Sequence, residues 1–86
     1  MPRTEILAAG NTAALSDDVG VATGEAVEIG VENNPGPAEL LIMLKGEDDD
    51  YQPIGKVWDN LPVTLREPGV YRLRRAAGVT CGGYRD

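Results

Sequence analysis

The chain of 86 residues contains no histidine and no phenylalanine, and it has one cysteine and one tryptophan. Without histidine the commonest general base at neutral pH is missing, and Cys81 has no neighbouring group that would activate it as a nucleophile. The sequence also lacks nucleotide-binding glycine motifs and the GxSxG motif of hydrolases. A single cysteine excludes an intrachain disulfide and a Cys/His metal cluster. We therefore expect a protein that is not an enzyme and that uses no cofactor and no metal.

Aromatic side chains are few, which limits what the core can contain. Tyr51, Trp58, Tyr71 and Tyr84 are the only ones, so the core must come mainly from aliphatic residues. A chain of this length forms one domain, residues 1–86, and buries roughly 60–65% of its unfolded surface. Small domains with thin cores often gain stability by association. We therefore expect a homo-oligomer.

Long apolar runs are missing as well. The longest, residues 40–44, has five residues, far fewer than the roughly 18 that suggest a membrane-spanning helix. The opening MPRTEILAAG has no signal-peptide architecture, because its apolar part is too short. We expect synthesis in the cytoplasm and no membrane partner.

The net charge of −6 is unevenly distributed along the chain. Residues 1–60 hold twelve acidic and three basic residues, whereas residues 61–86 hold five basic and two acidic ones. Proteins that bind nucleic acid through its phosphates are usually basic, so this balance argues against a nucleic-acid partner. It favours complementary surfaces, either between copies or towards another protein.

Eleven glycines and six prolines divide the chain into short segments, several with alternating apolar and polar residues. The clearest is EAVEIGVE, in which Val27, Ile29 and Val31 share one face, as in a half-buried strand. TEILA predicts a first strand, NTAALSDDVG a loop and the final GGYRD a flexible end. The pattern predicts an all-β fold, an antiparallel sandwich or barrel of about seven short strands.

The segment AELLIMLKG, which includes residues 38–45, allows either a two-turn helix or a strand. Its length and its neighbours favour the strand, with Leu40, Ile42 and Leu44 facing inward. Leu41 and Met43 then form an apolar strip on the opposite face. A second sheet, a loop or another subunit must cover that strip.

The segment VYRLRR carries the main cluster of positive charge. As a strand it directs Tyr71 and Leu73 to one face and Arg72 and Arg74 to the other, with Arg75 at its end. One interpretation is a solvated face that pairs with acidic residues such as Glu28 and Glu32 on a neighbouring strand. The other is a protein-binding surface formed by these three arginines with Leu41 and Met43, since arginine near tyrosine is typical of interface anchors.

Two further groups suggest binding sites. The acidic run at residues 47–50 lacks the glycine and late glutamate spacing of a calcium loop, so a solvated hairpin tip is favoured. Trp58 and Tyr51, with nearby Asp59 and Asn60, could form a platform for a glycan. Since the chain has one tryptophan, a core role for Trp58 is the favoured interpretation.

The segment PVTLREPGVYRLRRAAGVT, residues 62–80, resembles the C-terminal half of small β-sandwich virion proteins of tailed bacteriophages. Their first halves resemble ILAAGNTAALSDDV followed by AVEIGVE. The resemblance implies a head decoration (cement) protein, or a minor tail component, that is located in the virion and contacts the major capsid protein or other virion subunits. It also implies that Tyr71 anchors the core while Arg72 and Arg74 face a neighbouring subunit. The ending CGGYRD departs from the pattern. The rival hypothesis is a tail or host-surface module that binds a glycan through Trp58 and Tyr51.

Overall fold

In a computed structural model, which describes residues 3–48 and 50–86, the chain forms strands and turns without a helix. The described strands are β1 Thr4–Gly10, β2 Ala14–Leu15, β3 Val19–Val21, β4 Val27–Glu32, β5 Glu39–Lys45, β6 Tyr51–Trp58, β7 Val63–Leu65, β8 Gly69–Arg75 and β9 Cys81–Arg85. All their pairings are antiparallel. The predicted all-β fold is confirmed, with two very short strands, β2 and β3, beyond the seven expected.

The strands form two sheets that pack face to face as a β-sandwich. One sheet has four strands in the order β1-β9-β4-β7. The other has five: β6, β5 and β8 lie side by side, and β2 and β3 both pair with the free edge of β8. The result is a slab with extents of 35, 31 and 17 Å, which leaves two broad outer faces.

The core lies between the two sheets and is aliphatic, as expected. Alternation along β4 buries the side chains that the sequence pattern assigned to one face, with Ile29 fully covered. Tyr71 is also inside, and its hydroxyl donates a hydrogen bond to the Glu67 carbonyl at 2.7 Å. Gly83 on β9 lies so close to the opposite sheet that an added Cβ would approach Leu73 and Leu40 within 3.0 and 3.1 Å. The sheets therefore make contact directly across the centre.

The ambiguous segment at residues 38–45 is a strand, so the helical alternative is wrong. As β5 it pairs with β6 on one side and β8 on the other. The backbone N–H and carbonyl groups of a central strand form hydrogen bonds along both of its edges. An eight-residue helix would pair fewer of these groups. Ile42 and Leu40 are buried inside as predicted, while Leu41 and Met43 lie on the outer side of the sheet.

Two segments predicted to be irregular are ordered by specific contacts. In the expected loop NTAALSDDVG, Ser16 forms two hydrogen bonds with Leu73, each 2.8 Å long. The backbone N–H of Leu73 donates to the Ser16 hydroxyl, and the backbone N–H of Ser16 donates to the Leu73 carbonyl. This attaches β2 and β3 to β8. The expected flexible end GGYRD is largely strand β9, between β1 and β4. Tyr84 on β9 is buried against Gly30, where an added Cβ would lie 2.4 Å from the tyrosine hydroxyl.

Candidate interaction surface

The outer face of the five-stranded sheet, here called the basic face, carries most of the basic residues on strands. Alternation along β5, β6 and β8 directs four basic residues and one acidic residue to this side. They are Lys45, Lys56, Arg72, Arg74 and Glu39. Strand register aligns Leu15, Arg74, Leu41 and Lys56 in one row across the sheet. The sequence correctly placed Leu41 beside the arginines but missed Leu15, which lay in an expected loop.

Arg72 is engaged within the chain. Its Nε donates to Oδ1 of Asp18 at 2.5 Å, and its guanidinium carbon lies 4.2 Å from the centre of the Tyr51 ring. The Tyr51 hydroxyl donates to the same Asp18 oxygen at 3.0 Å. The hydrogen bond from Arg72 lowers the pKa of Asp18 below its ordinary value, and the bond from Tyr51 adds to this effect. Arg72 therefore fixes the β2–β3 segment on the sheet.

The expected pairing of these arginines with Glu28 and Glu32 is wrong. Both glutamates lie on β4, in the other sheet, and face the opposite side of the slab. Met43 is opposite Arg72 in the register and is 7% exposed. The apolar strip proposed for Leu41 and Met43 is thus half covered by the chain itself, and Leu41 is the more accessible of the two.

Arg74 is the free cation of the basic face. Its side chain is exposed, and within residues 3–48 and 50–86 it has no ion pair, hydrogen bond or ring contact. Leu15, its neighbour on β2, is 54% exposed. Arg74 and Leu41 also line a groove of about 420 Å³ that extends to Lys56 and Val79. An unpaired guanidinium beside aliphatic surface can bind a carboxylate of a partner with little reorganisation.

Arg75 does not belong to this surface, which corrects the prediction from the sequence. It is 3% exposed and points inward between the sheets. Its Nε donates to the Thr12 carbonyl at 2.6 Å, and its Nη1 donates to the Ala8 and Cys81 carbonyls at 2.8 and 2.7 Å. Gly10 provides room for the guanidinium, since an added Cβ would lie 3.1 Å from Nη2. Arg75 therefore holds the end of β1, the following loop and the start of β9 together.

Trp58 and Tyr51 are not brought together. They occupy the two ends of β6, about 20 Å apart at the usual rise per residue. Trp58 is 47% exposed, so the favoured core role is wrong. It lines a groove of about 450 Å³ with Pro35, Pro37 and Val79.

Polar groups surround the exposed tryptophan. Asp59 follows it at the rim of the groove, and Asn34 Nδ2 lies 3.5 Å from the Asp59 carboxylate. Lys56 Nζ lies 5.8 Å from the centre of the indole ring and 3.3 Å from the Glu39 carboxylate. An aromatic face with adjacent carboxylate and amide groups is a surface to which a sugar or a peptide can bind.

Other candidate chemistry is not assembled in the parts of the chain that the structure describes. Of the acidic run at residues 47–50, Asp49 lies outside the described residues, and within residues 3–48 and 50–86 no group of three or more possible metal ligands forms. Cys81 is fully buried, and burial raises the pKa of its thiol. The described ranges contain no helix able to cross a membrane.

Comparison of the chain with protein-family models, with curated proteins and with solved structures finds no match.

Proposed function

We propose that the chain is a structural virion protein, a head decoration protein of a tailed bacteriophage that stabilises the capsid lattice by binding. Its partners are the major capsid protein or other virion subunits, together with further copies of itself. It acts without catalysis, cofactor or nucleic acid. The observation that carries the proposal is the basic face, where the unpaired Arg74 lies between Leu15 and Leu41.

The chemistry of this face suits a protein partner. Arginine with adjacent aliphatic and aromatic surface is typical of the residues that dominate binding energy at interfaces. Arg72, by contrast, is held by Asp18 and Tyr51, so it supplies a preorganised part of the surface. Preorganised side chains lose little conformational entropy on binding.

A lattice also explains how a small protein with one modest surface could bind firmly. A decoration protein is present in many copies, and each copy contacts neighbours that are already positioned. Weak contacts then combine through effective concentration. The domain itself needs only to be rigid, and the buried Arg75 and the central strand β9 serve that purpose.

The proposal is tested by cosedimentation of the purified protein with undecorated phage heads, using Arg74→Glu as the variant. We expect this reversal to weaken binding at least about tenfold, which corresponds to a loss of about 1.4 kcal/mol of binding free energy. Arg66→Glu is the matched control, because Arg66 is also exposed and lies after β7 in the other sheet. Equal binding by both variants would remove the basic face from the proposal.

A second candidate function has one observation in its favour, the exposure of Trp58 beside Asp59 and Asn34. On this hypothesis the chain is a tail or host-surface module that binds a glycan at the Trp58 groove, without Tyr51. Because the chain has one tryptophan, saturable quenching or enhancement of its fluorescence by oligosaccharides would report binding directly. Lack of any response across a panel of host-surface glycans would exclude this candidate. Trp58→Ala removes the fluorescent group, so its loss of binding, with folding preserved, would be measured by calorimetry and would confirm the site of a positive response.

A further inference from the structure

The outer face of the four-stranded sheet, here called the acidic face, has the opposite charge from the basic face. Alternation along β1 and β4 places Glu5, Glu28 and Glu32 on it. Among the described residues of these four strands, no basic residue shares this side. Arg3, which precedes β1, is a cation on this face, since its guanidinium carbon lies 4.0 Å from the centre of the Tyr84 ring. Three carboxylates and one guanidinium therefore share the acidic face.

The acidic face is also flat. Gly30 and Gly82 have no side chains, and the Tyr84 ring lies down over Gly30 with its hydroxyl 3.2 Å from the Glu28 carboxylate. Glu28 is therefore held in place, whereas Glu5 and Glu32 make no ion pair within the described residues. The surface is therefore low around Gly82, whereas Arg3 covers the Tyr84 ring.

We propose that the neighbour contacted by the basic face is a second copy of this chain, which presents its acidic face. The inference rests on the proposed function, because it names the partner of that same surface. Arg74 of one copy then meets the free carboxylates Glu5 and Glu32 of the next. Such complementary potentials favour one mode of association and suppress others.

The slab as a whole extends 35 by 31 Å in its two broad dimensions. Its projected area is therefore comparable to the roughly 800 Å² that each partner contributes to a standard interface. The apolar part of the contact comes from Leu15 and Leu41 on the basic face. The acidic face contributes mainly polar groups, so the contact is weak in solution and gains strength when copies are held on a lattice.

Charge also selects the geometry of the contact. A symmetric pair through two basic faces would place the Arg74 side chains of both copies in the same interface. A pair through two acidic faces would place Glu5 and Glu32 of one copy against the same glutamates of the other. Both arrangements are repulsive. The remaining arrangement is head-to-tail, in which each copy uses both faces of the slab. Such heterologous contacts extend from copy to copy instead of closing as a dimer.

Sedimentation velocity with complementary charge reversals tests this arrangement. The wild-type protein should show sedimentation coefficients that rise with concentration up to about 1 mM in low salt and fall again as salt screens the charges. Arg74→Glu and the double variant Glu5→Arg/Glu32→Arg should each remain monomeric. An equimolar mixture of the two variants should associate again, because each mutated face then meets its complement. Glu67→Lys is the control, because Glu67 is exposed in the turn between β7 and β8, which joins the two sheets, and it should associate like the wild type.

Three results would overturn the inference: a wild-type protein that stays monomeric throughout, variants that associate as well as the wild type, or a mixture that does not recover association. Head binding separates this inference from the proposed function. If Arg74→Glu abolishes head binding while the wild type never self-associates, the basic face contacts a capsid subunit and only the present inference fails. If the protein self-associates as expected but never binds heads, the proposed function fails and the contact between copies stands.

Discussion

The contact between Gly30 and Tyr84 gives the sharpest prediction about the fold. Gly30 lies in the middle of β4 and pairs directly with Tyr84 of β9. An added Cβ would lie 2.4 Å from the tyrosine Cζ and hydroxyl oxygen, much closer than real contacts allow. In the variant Gly30→Ala the tyrosine side chain must therefore leave its position.

The cost can be worked from what Tyr84 loses. Its burial contributes about 1.5–3 kcal/mol, its hydrogen bond to the Glu28 carboxylate about 1.5–3, and its contact with Arg3 about 0.5–1. Alanine in place of glycine within a strand returns about 0.5–1 kcal/mol. We expect Gly30→Ala to lower the free energy of unfolding by about 3–5 kcal/mol. For a domain of this size that corresponds to a fall in Tm on the order of 20 °C.

Thermal and chemical unfolding, followed by circular dichroism, measure this change. Gly20→Ala is the matched control, since Gly20 also lies in a strand and an added Cβ there has no atom within 4 Å. We expect it to change stability by less than about 1 kcal/mol. In a Tyr84→Ala background, Gly30→Ala should likewise cost less than about 1 kcal/mol, because the clash is gone. If Gly30→Ala is as mild as Gly20→Ala in the wild-type background, Tyr84 does not lie over Gly30 and the acidic face is not as described.

Three further predictions concern the interior and the Asp18 contact. Arg75→Met should lower the free energy of unfolding by about 3–5 kcal/mol, because three carbonyls lose a charged donor. Arg74→Met is the control and should change it by less than about 0.5 kcal/mol. Equal losses in the two variants would refute the buried position of Arg75. Asp18 has a pKa lowered in the folded state, chiefly by its hydrogen bond with Arg72, so its contribution is present above about pH 4 and is lost as the pH falls further. The unfolding free energy of Asp18→Asn should therefore fall less than that of the wild type in this acidic range, and parallel pH profiles would contradict the pairing. Cys81, fully buried and with its thiol pKa raised by burial, should react with a thiol reagent only as fast as the protein opens, and rapid labelling of the native protein would show that β9 is not central.

Much of the fold could be predicted because it depends on local alternation. In β4 every second residue is apolar, and those residues are the ones found inside. In β5 five consecutive residues are apolar, and strand alternation correctly placed Leu40 and Ile42 between the sheets. The same rule correctly assigned Tyr71 and Leu73 to the core and Arg72 and Arg74 to the outside. The number of strands was underestimated because β2 and β3 have two and three residues, too short for alternation to show.

The rest depends on contacts between residues far apart in sequence, which no local pattern shows. Arg75 has the inward parity of Tyr71 and Leu73, but it was placed at the end of the strand and grouped with the outward arginines. Its partners, the carbonyls of Ala8, Thr12 and Cys81, lie outside that segment and could not be predicted from it. Trp58 was expected inside because it is the one tryptophan of the chain, but the core is filled mainly by aliphatic residues between the sheets. The final GGYRD has the small residues of a flexible end, and those glycines instead allow β9 to pack at the centre of its sheet.

The candidate surface was predicted in part for the same reason. Alternation correctly placed Arg74 and Leu41 on the outer side of the sheet. That Leu15 lies beside them follows from the pairing of β2 with β8, which the sequence did not predict. The separation of charge along the chain indicated complementary surfaces. The two outer faces do differ in charge, but they do not follow the charge sections of the chain, because Lys45 and Lys56 of the basic face lie in the acidic first 60 residues. Placing charges on a face requires knowledge of which strands share a sheet.

Cosedimentation of the wild-type protein with undecorated phage heads, titrated to saturation, tests the proposed decoration role most directly. We expect saturation at a fixed multiple of the capsomer number, with binding strongly reduced by Arg74→Glu and unchanged by Arg66→Glu. The lack of saturable binding to heads would contradict the central claim that this chain is a decoration protein.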